Sequence, residues 1–207
     1  MTGNRWIIVF GVPGTGKSFL GSRLARRLSY RFTTLSWFVL YNGYWREYDI
    51  HRRSFVVDYD ALLRGLQKLS GRYVIETHWL EPFLKNDALP SLVVFTRTHP
   101  LVLYERLVRR AWPLRKIAEN VEAELIGALV PEVHEVIDRG IKVIEVDTTS
   151  TPVNDAVNKV IEFLERNSKN IECCIDWLSR LSVEELEKVM RIIEARTATE
   201  KGEELYE

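Results

Sequence analysis

Cysteine is nearly absent. The 207 residues hold two, Cys173 and Cys174, and they are adjacent. A disulfide-stapled scaffold is therefore excluded, and with no further Cys or His nearby to complete a metal site the pair reads as packed thiols. No run of eighteen apolar residues occurs, so no membrane-spanning helix is expected, and the short N-terminal apolar stretch feeds a glycine-rich motif rather than a signal-peptide cleavage site. Net charge is missing as well: 29 Lys plus Arg balance 29 Asp plus Glu. Nothing global favours nucleic acid or an acidic membrane, and direct nucleic-acid binding is not expected. One Gln and two Met beside 28% charged residues point, on composition alone, toward a hot environment. What remains, 46% hydrophobic residues, is enough for one domain, or one domain with a small appendage.

The chain is organised around residues 11–18, Gly11-Val12-Pro13-Gly14-Thr15-Gly16-Lys17-Ser18. An apolar run, Trp6-Ile7-Ile8-Val9-Phe10, enters it and a helical pattern over 19–28 leaves it. Glycine, four residues, then Gly-Lys-Ser is the phosphate-cradling P-loop, which composition would produce by chance in well under ~1% of chains this long. Backbone N–H groups can wrap a polyphosphate only where the backbone comes close, which Gly11, Gly14 and Gly16 permit. The following helix offers its unpaired N–H groups to the anion. Lys17 adds a charge near the β- and γ-phosphates, and the Ser18 hydroxyl can ligate Mg²⁺. A nucleotide site with almost no cysteine places the chain in a reducing, intracellular compartment.

Further along, residues 31–36 read as a second strand, and 37–54 show no clean period despite six aromatic residues. A helix is expected over 58–69, from Leu62, Leu63, Leu66 and Leu69. Apolar runs at 73–75 and 92–95 read as buried parallel strands, ending in Glu76-Thr77-His78 and Thr96-Arg97-Thr98. Helical patterns cover 100–110 and 113 to about 137, separated at Trp112-Pro113. A last strand covers 142–146 and a helix 155–164. Ser182-Val183-Glu184-Glu185 is a capping-box start for a helix to about residue 195, with a polar, frayed end. Such alternation gives an α/β fold: a three-layer P-loop NTPase with a parallel sheet of about five strands and helices on both faces. Ligands in these sheets bind outside the carboxyl ends of the strands, which brings residues 11–18, 76–78 and Arg97 to one edge.

Six basic residues and one acid, Glu105, lie between Arg97 and Lys116. Arg106, Arg109 and Arg110 share a helix face, and an arginine-bearing segment suits phosphoryl transfer, which depends on positioning and on cations. These residues, with Glu76-Thr77-His78, Leu103-Tyr104-Glu105-Arg106-Leu107 and Glu119-Asn120-Val121-Glu122-Ala123-Glu124, resemble the adenylate kinase isoenzyme 6 type, small archaeal and eukaryotic P-loop nucleoside-monophosphate kinases. The resemblance runs from about residue 4 to residue 178. It implies a kinase domain over 1–178, with a monophosphate-binding segment near 34–57 and a lid near 109–119, followed by a helical extension over 179–207.

Carried over residue by residue, Gly14, Gly16, Lys17, Ser18 and Phe19 match the ATP-binding loop, Phe19 through its backbone N–H alone. Glu76 and His78 match a Walker-B-like pair, with Glu in place of Asp, and Ser18 with Glu76 would organise Mg²⁺. Arg106 and Arg110 match the lid arginines, with Arg110 also on the ATP side. Ala111-Trp112 replaces the usual Gly-Tyr. The basic residue that relatives place after the second strand is replaced by Trp37-Phe38-Val39-Leu40, so either Arg46, Arg52 or Arg53 substitutes for it or acceptor binding is weak. The implied reaction is ATP + AMP ⇌ 2 ADP, with Lys17, Glu76, His78, Arg106 and Arg110 as the catalytic set, in the cytoplasm, or also the nucleus if the source is eukaryotic. The alternative that the resemblance implies is an ATPase that assists assembly of the small ribosomal subunit by binding one of its proteins.

Overall fold

In the computed structural model, which describes residues 5–50, 54–85, 89–166 and 173–203, the architecture grows outward from β1 (Arg5–Phe10). Its residues alternate between two apolar layers: Trp6, Ile8 and Phe10 face one core, Ile7 and Val9 the other. A strand buried on both faces has to be apolar throughout, which is why this run shows no polar alternation. β1 lies at the centre of a five-stranded parallel sheet, order β2-β5-β1-β6-β7, formed with β2 (Arg31–Thr34), β5 (Arg72–Thr77), β6 (Leu92–Arg97) and β7 (Lys142–Asp147). Helices α1 (Lys17–Leu28) and α8 (Val153–Glu165) cover one face through Leu20, Leu24, Val157 and Val160. On the other face, α3 (Tyr59–Lys68) and α7 (Val130–Asp138) contribute Leu62, Leu66, Val133 and Val136.

Register fixes the functional edge. Val9 pairs with Glu76 and Phe10 with both Thr77 and Phe95, while Arg97 pairs with Asp147. The strand ends therefore lie side by side with the glycine-rich loop between them, as the parallel-sheet reading expects.

Several local expectations change. β2 stops at Thr34 because the Thr34 hydroxyl accepts the Trp37 N–H at 3.0 Å and caps a helix, α2 (Leu35–Asn42), that the sequence did not announce. Apolar residues occur all round α2, so no stripe of helical period is visible. The aperiodic stretch that follows is an antiparallel hairpin, β3 (Trp45–Asp49) with β4 (Ser54–Val57). Tyr44, just before it, docks against Gly65 of α3, where any Cβ would overlap the ring. A short α4 (Glu81–Leu84) follows β5. The long helix expected from 113 is two: α6 (Leu114–Leu125) and α7, interrupted at Gly127, whose φ of +63° takes the left-handed turn. Cys173 and Cys174 pack half-buried on the core.

A third apolar cluster sits above the sheet edge. α5 (Pro100–Arg109) and α6 meet α9 (Trp177–Arg180) and α10 (Val183–Glu203) through Leu103, Leu107, Val121, Trp177 and Val189. The capping box is present: the Ser182 and Glu185 side chains exchange hydrogen bonds with each other's backbone N–H at 3.2 and 2.9 Å. The helix that starts there runs past the expected end at residue 195, to Glu203.

Arg97 does not reach the ligand edge. It is 1% exposed and donates to Glu124 Oε1 at 2.8 Å, to Glu145 Oε1 at 3.3 Å and to the carbonyls of Glu124 and Ile175. Glu124 Oε1 also accepts from Thr98 N–H and Trp177 Nε1. A buried cation needs such full pairing, and removing one partner strands the charge. Glu124→Ala is expected to lower the unfolding free energy by about 3–5 kcal/mol, whereas Glu119→Ala, which breaks the exposed Arg115–Glu119 pair, should change it by less than about 1 kcal/mol. Urea unfolding of the two variants measures the contrast.

Candidate active site

The loop between β1 and α1 is built so that the backbone itself faces a ligand. Gly14 and Gly16 have φ of +97° and +86°, and a Cβ on Gly14 would come within 2.6 Å of Leu103 Cδ1. Gly16 is the N-cap of α1 and offers no side-chain acceptor, which leaves the first-turn N–H groups of α1 directed at the cleft. Threonine hydroxyls hold the loop from beneath. Thr15 Oγ1 donates to the Val12 carbonyl at 2.8 Å and shares a 2.7 Å hydrogen bond with Thr96, and Thr148 Oγ1 reaches the Thr15 carbonyl at 2.8 Å.

Lys17 is 6% exposed, with its ammonium on the Val12 carbonyl at 3.0 Å. Burial lowers its pKa to about 8; Glu76 acts in the opposite direction, and Arg110 lowers it further. Glu76 Oε2 is buried with no hydrogen-bond partner. His78 is held below the usual imidazole range by burial and then by the Lys17 charge, so it is neutral at pH 7. Arg106 is lowered by burial and by the neighbouring Arg110. Three cations thus crowd one edge, an arrangement that repels itself until an anion arrives.

Three adjoining clefts run along this edge. The first, of about 390 Å³, lies between the loop, α1, the end of α5 and the start of α8, with Arg106, Arg110, Thr151 and Val153 in its walls. The second, of about 310 Å³, holds Lys17, Ser18, Glu76, His78, Arg110 and Trp112. The third, of about 380 Å³, lies under α2 and the hairpin, with Leu35, Val39, Leu40, Phe55 and Trp79 as apolar walls. Gly14, Gly16, Phe19 and Arg110 line both the first and second clefts; Ser36, Thr77 and His78 line both the second and third.

The expected site residues therefore divide. Gly14, Gly16, Lys17, Ser18, Phe19, Glu76, His78 and Arg110 meet at the middle cleft. Arg106 does not: its guanidinium is bound to the Thr148 carbonyl at 2.6 Å, the Thr149 carbonyl at 3.2 Å and the Thr98 hydroxyl at 3.2 Å, and it lines the first cleft. Arg46, one substitute for the missing basic residue, points to Asp58 at 3.3 Å, while Arg52 and Arg53 lie outside the described residues. Sequence reasoning assigned no role to Thr15, Thr96, Thr98 or Thr148, and noted Trp112 only at the helix break and in the Ala111-Trp112 replacement. The available signal for three of the threonines was their place at the carboxyl ends of β6 and β7. Ala111, between α5 and α6, has φ of +52°, a conformation that suits glycine and strains alanine.

A pH-dependent prediction follows from Lys17. Its folded-state pKa lies below the unfolded value, so it costs stability below pH 8, and that cost is relieved as pH rises from about 8 to 10.5. A shift of this size corresponds to about 3 kcal/mol. Lys17→Met should therefore melt at a higher temperature than the wild type at pH 7, and the gap should narrow toward pH 10.5. Calorimetric melting of both proteins across that range is the check.

A family profile described as AAA domain matches residues 7–127. A protein of Saccharolobus islandicus described as "Putative adenylate kinase" is 37% identical over 190 residues, covering 89% of this chain and 95% of its own. One of Pyrococcus abyssi with the same description is 36% identical over 172 residues, covering 83% and 90%. Among solved structures, shikimate kinase from Bacteroides thetaiotaomicron superposes with a TM-score of 0.55 at 17% identity, covering 78% of this chain and 98% of its own. Shikimate kinase from Acinetobacter baumannii also reaches 0.55 at 17% identity, covering 81% and 96%. Those two likenesses concern the fold. Among the described residues, no helix is long and apolar enough to cross a membrane.

Proposed function

The chain belongs to the P-loop kinase family that the AAA-domain profile and these archaeal relatives represent, and on that premise we propose that it transfers the γ-phosphoryl group of ATP to AMP. The observation that carries this reading is the continuity of the three clefts: two nucleoside-sized spaces joined through one lined by Lys17, Glu76, His78 and Arg110. ATP would place its base and ribose in the first cleft and its phosphates against the glycine loop. AMP would enter the third, with its base between the apolar walls and its phosphate toward Ser36, Thr77 and His78.

The roles follow from the chemistry. Loop N–H groups and Lys17 hold the donor phosphates, and the incoming anion raises the affinity of Lys17 for its proton. Arg110 borders both the donor and the middle clefts, so its charge can follow the migrating group. Arg106, bound to the Thr148–Thr149 turn, orders the donor wall and adds positive potential. No strong base is required, because the acceptor phosphate is already anionic at neutral pH. Neutral His78 would orient the acceptor or a water by hydrogen bonding. With Arg46 paired to Asp58, the acceptor phosphate would meet the first turn of α2, whose Thr34 and Ser36 border the middle cleft. The Ser18 hydroxyl and the unpartnered Glu76 Oε2 fit a hydrated Mg²⁺, which when bound would neutralise phosphate charge. The ribosome-assembly role implied by the resemblance rests on the resemblance alone.

A coupled assay tests the proposal: turnover with ATP should rise on adding AMP, and if no monophosphate raises it above ATP alone the kinase reading fails. Arg110→Ala should lower kcat by about a hundredfold or more. Leu40→Trp, which intrudes on the third cleft, should raise the KM for AMP about tenfold and leave the KM for ATP unchanged.

A further inference from the structure

A fourth groove, sharing only Phe19 with the first and middle clefts, lies along the outer side of α1 where it faces α8. It measures about 860 Å³, more than twice either nucleoside-sized cleft, and is lined by Phe19, Ser22, Arg23, Arg26, Arg27, Asn154, Val157 and Asn158. No carboxylate lines it. Arg23 makes one weak contact, 3.4 Å to Asn154 Oδ1. Arg26 and Arg27 have no carboxylate partner among the described residues.

Other helices of the same surface are built differently. α4, α5, α6, α7 and α10 each pair a surface Lys or Arg with a carboxylate one turn away: Lys85–Glu81, Arg109–Glu105, Arg115–Glu119, Arg139–Glu135 and Lys188–Glu184. The exposed face of α1 reads Ser18, Phe19, Ser22, Arg23, Arg26, Arg27, with no acid. Helix-end electrostatics accounts for Arg26 and Arg27 in the last turn, but not for Arg23 or for an acid-free wall. Phe19, 64% exposed, stands where this groove meets the first and middle clefts, so its ring is open to all three.

We propose that the α1–α8 groove binds single-stranded nucleic acid, with Arg23, Arg26 and Arg27 tracking the phosphodiester backbone and Phe19 stacking a base at its upper end. Guanidinium forks match phosphate oxygens in pairs, the asparagine amides on α8 can bond sugar and base edges, and an aromatic ring beside a basic track is how sequence-tolerant single-strand sites are made. An acidic peptide would use the arginines but has no need of an exposed ring. The neutrality of the whole chain does not oppose this, because the balancing acids lie elsewhere on the surface.

Fluorescence anisotropy with a labelled twelve-nucleotide oligouridylate, the matching oligodeoxythymidylate and a poly-glutamate peptide of equal charge tests the groove. Binding of an oligonucleotide to the wild-type protein is expected, with the RNA and DNA arms reporting whether the 2′-hydroxyl is read. Arg23→Glu/Arg26→Glu/Arg27→Glu should weaken it at least about tenfold and reduce the slope of log affinity against log salt by about two. Asn158→Asp, on the opposite wall and free of any effect on α1, should weaken it about threefold or more, with ATP and AMP turnover unchanged. No binding at about 50 mM salt, binding that all variants retain, or equal capture of the poly-glutamate peptide would each overturn the proposal.

Discussion

A single buried guanidinium holds the functional half of this protein together. Arg97 leaves the carboxyl end of β6, where a cation would be expected to meet a ligand, and turns inward to Glu124 of α6, Glu145 of β7 and the Ile175 carbonyl. Burial raises the Glu145 carboxyl above its usual range, opposed by the Ile175 N–H and then by Arg97 itself. The network therefore binds the sheet, α6 and the C-terminal segment as one unit, with Trp177 closing it through Glu124. α10 then packs on α5 and α6, so both flanks of residues 109–115 have fixed supports while that stretch is exposed apart from half-buried Trp112.

Against that rigid support, the ligand edge collects features that cost stability. Lys17 is buried as a cation, Glu76 Oε2 lacks a partner, Arg106 lies beside Arg110, and Ala111 takes a left-handed backbone. Each is unfavourable in the free protein, and the first three are relieved by a polyanion with a divalent cation. Concentrated strain of this kind marks a site rather than a core. The ring of threonines Thr15, Thr96, Thr98 and Thr148 supplies the opposing stability: small hydroxyls fix the loop without adding charge beside the phosphates.

Legibility in the sequence tracked the range of the interactions involved. The glycine loop, the buried strands and the capping box are set by residues within one turn or one strand of each other, so their letters suffice. The α2 helix was not legible because its apolar residues run all round it and leave no stripe, and the hairpin was not because it is placed by docking, with Tyr44 on Gly65 twenty-one residues away. The break in the long helix at Gly127 was visible as a glycine, but only the left-handed φ shows that the chain turns there.

The sequence by itself determined that phosphates are bound between β1 and α1, because glycine, lysine and serine at that spacing admit little else. It also determined a parallel sheet, through apolar runs that tolerate burial on both faces. Only the tertiary structure decided which arginines face the ligand. Arg97, Arg106 and Arg110 look alike in sequence, yet one is consumed by two buried carboxylates, one by the Thr148–Thr149 turn, and one lines the middle cleft. The reason is that a guanidinium is assigned by the acceptors within its reach, and those acceptors come from elements 27 to 78 residues away in the chain.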